Sequence, residues 1–349
     1  MSVGQGAAVS PLSYIGIGRE TALGTAGSIA SQLLFISSSL KTTKETKILE
    51  QIEQSRTYAY EIKTGKVVEG DLEYYYYPES DACNFILQNA FGGTVTSATA
   101  TGETAGGTAF THTFEIGNMD QSYTSLTINN RKGDSVNGKV FQYTGLRVNE
   151  INFVAELDEA LKCEASLIGV DSTVGATDFG STLPAQSITA LSFVSGRLSV
   201  EGTFASLTSS SQWHVQSINF GWTNNLKADS ASRRIGSDLL QVLPPGMAQF
   251  TFSATMRFDT TTAYAAMLAN TNYSAQLEFL GDTLSTSIIR RGIKFNMPNI
   301  RIMDAGDPEI GGPDELLISE VTFAVLRDAS SATGYALQAQ VTNTKSSYA

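Results

Sequence analysis

Charge is scarce in this chain. Asp, Glu, Lys and Arg make up only 16% of its 349 residues, well below the roughly 25% of an average soluble domain. Ser, Thr, Gly, Asn and Gln fill the polar positions instead, a mix that suits strands and turns better than solvated helices. Low charge also suits a surface that copies of the same chain cover, because the cores of interfaces are depleted in charge. The charge that remains leans acidic, with a net of −11. A protein that grips nucleic acid through its phosphates needs a basic stripe. This balance argues against one, though not against nucleic acid as a passenger.

Groups that carry chemistry are few. Cys83 and Cys163 lie far apart among apolar neighbours and read as buried thiols of a reducing compartment. His112 and His214 have no third His or Cys nearby, so a zinc site is not expected. No G-x-S-x-G elbow is present. Gly16-Ile17-Gly18 with Gly24 lacks the preceding strand and following helix of a dinucleotide loop. The acidic stretch Asp304, Asp307, Glu309, Asp314 and Glu315 lacks the alternating ligand spacing of an EF-hand and reads as a solvated turn. The expectation is no catalytic residue, no metal and no cofactor. No basic-plus-apolar segment precedes Gly16, and no apolar run approaches the length of about 20 residues that spans a bilayer. A protein made in a cytoplasm and soluble there, without a membrane partner, is expected.

Apolar residues are plentiful at 42%, and the length suggests about two domains at roughly 100–200 residues each. Residues 1–30 are rich in Gly, Ala and Ser and read as an extended arm rather than a packed element. Residues 41–66 concentrate mixed charge, with Lys41, Lys44, Glu45, Lys47, Glu50, Glu53, Arg56, Glu61, Lys63 and Lys66. They read as a projecting loop or hairpin, either a solvated face or a contact between subunits.

Period-two alternation dominates the rest. Phe250, Phe252, Ala254, Met256 and Phe258 alternate with polar residues, as do Leu161, Cys163, Ala165 and Leu167. The pattern recurs at Ile293, Phe295 and Met297 and at Val321, Phe323 and Val325. Tyr74 to Tyr77 suggest a strand covered on both faces. Two short helices interrupt the strands. Ser80 can cap one bearing Ala82, Phe85, Ile86 and Ala90. Asp259 or Thr260 can cap the other, with Ala263, Tyr264, Met267 and Leu268 on one face.

Each helix follows a strand that begins at a glycine turn, Gly65 in one unit and Gly246 in the other. The offset of 181 residues holds from Tyr77 to Phe258 and from Ala82 to Ala263. Strands at Tyr123–Ile128, Gly145–Val148 and Leu161–Leu167 have counterparts at Tyr273–Phe279, Gly292–Phe295 and Val321–Val325. A Thr/Gly/Ala-rich insertion at 94–112 belongs to the first copy only. The pattern is a diverged tandem duplication with its seam near 172–190.

The string Tyr14-Ile15-Gly16-Ile17-Gly18-Arg19-Glu20-Thr21-Ala22-Leu23-Gly24-Thr25-Ala26 resembles the "GxGxExxxGT" opening of phage tail tube proteins. Gly65 with Glu69-Gly70 resembles a strand of that family, and Gly145-Leu146-Arg147-Val148-Asn149 another. Asn219–Leu226 and Pro244-Pro245-Gly246 resemble the version with two tandem modules. The resemblance implies a mainly β protein of two tail-tube-like β-sandwich or barrel modules, each with one short flanking helix. On this reading 1–30 is the arm, 31–172 the first module and 173–349 the second. It implies modules joined edge to edge into a ring with a continuous β-barrel inner wall, three such chains per ring, and rings stacked into the tube of a long non-contractile tail. Partners would be other copies of itself, the tape measure, tail terminator and distal tail proteins, and phage DNA as a passenger without specific binding. Gly16, Gly18, Glu20, Gly24, Thr25, Lys41, Lys44, Glu45, Lys47, Glu50, Glu53 and Arg56 are the expected assembly residues. Rival readings are another tail assembly protein, such as a terminator, a distal tail protein or a contractile inner tube, and a carbohydrate-binding β-sandwich.

Overall fold

The computed structural model describes residues 12–348, except 53, 93–94, 104–106, 117–123, 134–138, 178–188, 209–210, 259–260, 285–287, 307–316 and 330–333. The first half contains β1 (Tyr14–Arg19), β2 (Ser31–Leu33), β3 (Ser37–Ser38), β4 (Lys41–Ile48), β5 (Glu61–Tyr75), α1 (Asp81–Phe91), β6 (Val95–Thr99), β7 (Phe110–Glu115), β8 (Leu126–Lys132), β9 (Lys139–Glu156), β10 (Lys162–Gly169) and β11 (Asp171–Val174). The second contains β12 (Gly196–Glu201), β13 (Gln212–Trp213), β14 (Val215–Thr223), β15 (Gln249–Arg257), α2 (Thr262–Ala269), β16 (Asn272–Thr283), β17 (Arg290–Ala305), β18 (Ile318–Leu326) and β19 (Gln338–Asn343). The mainly β class expected from the alternation is what the chain forms, and the strands named above pair antiparallel.

The pairings repeat. In the first half β2 pairs with β1, β1 with β8, β8 with β9, β9 with β10, β10 with β5, and β5 with β3 and β4. In the second half β13 pairs with β12, β12 with β16, β16 with β17, β17 with β18, β18 with β15, and β15 with β14. A helix follows β5 and another follows β15. The strands follow the same order of pairings in both halves.

Four details differ from expectation. Tyr14–Arg19 is not an unpacked arm: it is β1, with Ile15 and Ile17 fully buried between β2 and β8. Its apolar residues alternate, a signal that the surrounding glycines masked. The constant offset of 181 fails inside the strands. Leu72, Tyr74 and Tyr76 point inward on and just beyond β5, and Phe252, Ala254 and Met256 point inward on β15. An odd offset would set inward residues against outward ones, so the strands match at an even offset. The tyrosine run is likewise one-sided, with Tyr74 and Tyr76 buried and Tyr75 and Tyr77 only partly so. Finally, α2 keeps only Ala266 buried, while Tyr264 and Leu268 are exposed. The candidate caps Asp259 and Thr260, and Tyr123 of the expected strand at 123–128, lie outside the described residues.

Helix α1 obeys its sequence signals and exceeds them. Ser80 accepts a hydrogen bond from the Cys83 amide (3.4 Å), and Gly92 closes the helix in the left-handed region at φ 66°, as caps require. Every residue but Asp81 is buried. Its buried amides are satisfied: Asn84 donates to the Pro78 carbonyl (2.8 Å), and Asn89 accepts from the Val148 amide (2.7 Å).

Among the described residues, two strand-to-strand joints fasten the halves. In one, β14 lies along the C-terminal part of β9, from Ser217 opposite Glu156 to Thr223 opposite Glu150. Beneath that joint Phe153 stacks with Trp222 (6.4 Å) and meets Phe295 (4.9 Å), while Phe220 meets Phe295 (5.0 Å) and Phe252 (5.4 Å). In the other, the insertion read at 94–112 forms the β6–β7 hairpin, and β7 pairs with β19. Buried His112 sits at this joint. It accepts at Nδ1 from Ser97 Oγ (2.8 Å) and donates through Nε2 to Asn343 Oδ1 (3.0 Å).

Phe153→Ala removes the ring shared by both halves. It should cost about 3–5 kcal/mol in chemical denaturation, a typical value for a buried Phe, with both halves still unfolding in one transition. Burial holds the His112 pKa below its usual value of 6.5. The unfolded chain therefore binds the proton more readily, so the stabilising effect is complete above pH 6.5 and is lost as pH falls through the lowered folded pKa. The unfolding midpoint should drop between pH 7 and 5, and His112→Gln should flatten that dependence.

Candidate functional site

The motif around Glu20 builds an internal turn. Glu20 is buried, and its carboxylate gathers four donors. Oε1 accepts from Thr127 Oγ1 (2.8 Å) and the Gly145 amide (2.8 Å). Oε2 accepts from Ser125 Oγ (2.6 Å) and the Gly24 amide (2.9 Å). A buried carboxylate needs such a set of donors to offset its lost hydration. Gly24 takes φ +77°, and a Cβ on Gly18 would lie 2.1 Å from the Ser28 carbonyl oxygen. Gly16 sits mid-strand between Gln32 and Asn129, and the Thr25 amide donates to the Ala22 carbonyl (3.0 Å). The glycines, Glu20 and Thr25 thus shape the β1–β2 connection within one chain.

The other expected assembly residues lie on the β4–β5 hairpin. Lys41, Lys44, Glu45 and Lys47 are on β4, Glu50 and Arg56 are exposed near the tip, and Glu53 lies outside the described residues. Ion pairs anchor the hairpin base. Arg233 reaches Glu45 (2.5 Å), Lys63 pairs with Asp238, and Lys66 pairs with Asp171. Lys44 also lies 3.6 Å from Glu61. Arg233 holds the Glu45 carboxyl below the usual range, chiefly through their hydrogen bond.

The charge reading of this segment missed its apolar residues. Ile48, Ile52, Tyr58, Tyr60 and Ile62 are exposed along the hairpin, Ile52 completely. Register sets Ile62 beside Lys47 and Ile48 beside Glu61, so apolar side chains are exposed on both faces of the hairpin. The signal was present as isoleucines and tyrosines spaced among the lysines and glutamates.

A second surface is the outward face of the sheet β5–β10–β9–β14–β15–β18. It exposes Glu69, Asp71, Glu73, Glu164, Glu150, Glu156 and Glu320 at least in part. Cross-strand register puts Glu73 opposite Glu164, and Asp71 in one row with Ser166 and Glu150. Lys162 bridges Glu73 and Glu164, which raises its own pKa and lowers that of Glu73 through the shared hydrogen bond. The remaining acids leave this face negative.

The chain matches the family model for phage tail tube proteins over residues 11–325. It belongs to the phage tail tube protein family. Membership makes it a structural component of a phage tail that assembles with itself into a tube, and the match runs from β1 to β18 across both copies of the strand pattern. Among solved structures it matches the "Crystal structure of Hcp protein", at 11% identity and a TM-score of 0.26, over 37% of this chain and 86% of that one. No curated protein matches it.

Chemistry elsewhere is quiet. Among the described residues, no group of three or more His, Cys, Asp or Glu could hold a metal ion. Asp304 lies on β17, whereas Asp307, Glu309, Asp314 and Glu315 fall outside the described residues. No helix among the described residues is long and apolar enough to cross a membrane. Burial pushes the Cys83 thiol up to about 11 and the Cys163 thiol well above its usual range.

A thiol reagent such as DTNB should therefore label neither cysteine until the chain is unfolded. Glu20→Ala leaves the Gly24 and Gly145 amides unpaired. It should cost about 2–4 kcal/mol in denaturation, since hydrogen bonds to a charged group are worth roughly 1.5–3 kcal/mol each and other donors partly rehydrate.

Proposed function

We propose that this tail tube protein forms rings of three chains, that the rings stack into the tube of a long non-contractile tail, and that the tube conducts phage DNA into the host. The observation that carries the reading is the repeated strand pattern inside one family match. A lumen wide enough for duplex DNA needs a barrel of many strands, because barrel diameter grows with strand number. Three two-copy chains supply six wall segments. Tape measure, terminator and distal tail proteins would meet the tube in a virion assembled in the host cytoplasm, and no catalysis is required of the subunit.

The acidic face of β5–β10–β9–β14–β15–β18 is assigned to the lumen. It is continuous, largely polar and net negative. Duplex DNA carries one negative charge per about 1.7 Å, and every basic contact adds salt-sensitive affinity. Repeated along a tube, such contacts would hold the genome, whereas like charge keeps it hydrated and free to slide. The charged hairpin with its apolar tip is assigned to ring stacking, because it projects from the body and leaves Ile52, Tyr58 and Tyr60 uncovered.

Electron micrographs of the concentrated protein should show open-ended tubes whose class averages contain three chains per ring. A six-chain ring with one copy of the pattern outside the wall would rule this arrangement out. Replacing residues 49–60 with a short turn should leave a folded chain that forms rings but no tubes. Asp71→Lys with Glu150→Lys should make preformed tubes bind duplex DNA at low salt and release it at high salt; unmodified tubes should not bind.

A further inference from the structure

The place where β13 approaches α2 differs from its counterpart in the first half. There β2, which holds the same place in the order of pairings, lies directly against α1, and the Ala82 amide donates to Ser31 Oγ (3.2 Å). Between β13 and α2 lies instead a cavity of about 240 Å³, bounded by Trp213, Arg257 and Tyr264. A second cavity of about 290 Å³ opens beside it, and Gln212, Trp213, His214 and Arg257 line both. The two form one groove. A cavity of roughly 150 Å³ admits a benzene ring, so each has room for a six-membered ring with its substituents.

The lining has a definite chemistry. Trp213 is half-buried and held in place: its backbone pairs with Leu198, and its ring tilts over Phe323 (5.9 Å). Tyr264, 38% exposed, lines the first cavity from α2. Gln212, His214, Thr262 and Ser319 add hydrogen-bonding groups around these rings. Among the described residues neither cavity is lined by an Asp or Glu, in a chain of net charge −11. Arg257 is exposed and belongs to both cavities. At the second cavity Arg197 pairs with Glu278, which Lys294 also contacts (3.1 Å), so two cations share one carboxylate. Aromatic walls with a few convergent polar groups are the general form of a ligand site. Positive charge in an acidic chain selects an anion. Several hydrogen-bonding side chains beside the rings suit the hydroxyls of a saturated ring better than a flat base, which binds chiefly by stacking.

We propose that the groove binds an acidic polysaccharide, with one uronic-acid unit in each cavity. In the first cavity the C–H face of a sugar ring lies on Trp213 and Tyr264, its hydroxyls meet Gln212, His214 and Thr262, and its carboxylate pairs with Arg257. Arginine suits that role because its planar fork matches a carboxylate. The site goes beyond the tube reading and belongs to the single chain.

The test is isothermal titration of trigalacturonate into the full chain. Binding should saturate at one site per chain and weaken as salt is raised. Maltotriose, a neutral counterpart, and AMP, an aromatic anion, should each bind about tenfold more weakly, the worth of one charge-assisted or polar contact. Arg257→Gln and Tyr264→Ala alter exposed side chains, so the melting temperature should hold while trigalacturonate binding weakens about tenfold. Of the two tryptophans Trp222 is 1% exposed. The ligand should therefore change the fluorescence of Trp213, and Trp213→Phe should abolish that response. No binding of trigalacturonate, or binding that Arg257→Gln and Tyr264→Ala leave unchanged, would overturn the site. Maltotriose binding as tightly would overturn the acidic class, and AMP binding as tightly would overturn the sugar. Each of these outcomes leaves the tube reading untouched.

Discussion

The backbone ladder between β9 and β14 is the interaction on which the rest depends. It converts two copies of one strand pattern into a single sheet without an intervening cleft. The ladder places Phe153, Phe220, Trp222 and Phe295 in one cluster, so the halves share a core rather than merely touching. The ends of β14 reinforce it. Trp222 and Asn224 both donate to the Ala90 carbonyl at the end of α1 (3.2 and 2.9 Å), and Asn224 also donates to the Val148 carbonyl (3.0 Å). A helix C-terminus with an unpaired carbonyl is thereby satisfied by the other half of the chain.

Other features follow from the need to finish such a sheet. Exposed edges invite pairing, and the chain covers its edges in two ways. The β6–β7 hairpin covers β19, and β1 and β2 cap β8. Glu20 belongs to the same logic: its four hydrogen bonds tie the turn after β1 to β8 and β9, which keeps the N-terminal segment in the sheet.

Much of this was legible in residue order. Alternation at Leu161–Leu167, Val321–Val325 and Phe250–Phe258 named strands whose inward residues are buried, and Ser80 named the start of α1 correctly. The reading failed where composition spoke louder than period. Glycines hid β1, and lysines and glutamates hid the isoleucines and tyrosines of the hairpin. The candidate site was half legible: the motif residues were marked, but Glu20 serves the chain's own turn, a role that depends on donors over a hundred residues away.

By itself the sequence determined the strand-rich class and the acidic balance, because periodicity and charge are properties of residue order. Only the tertiary structure decided which strands touch. Pairing partners are set by long-range register, and a one-residue change of register exchanges the buried and exposed faces. That is why Tyr74 and Tyr76 are fully buried while Tyr75 and Tyr77 beside them are only partly so.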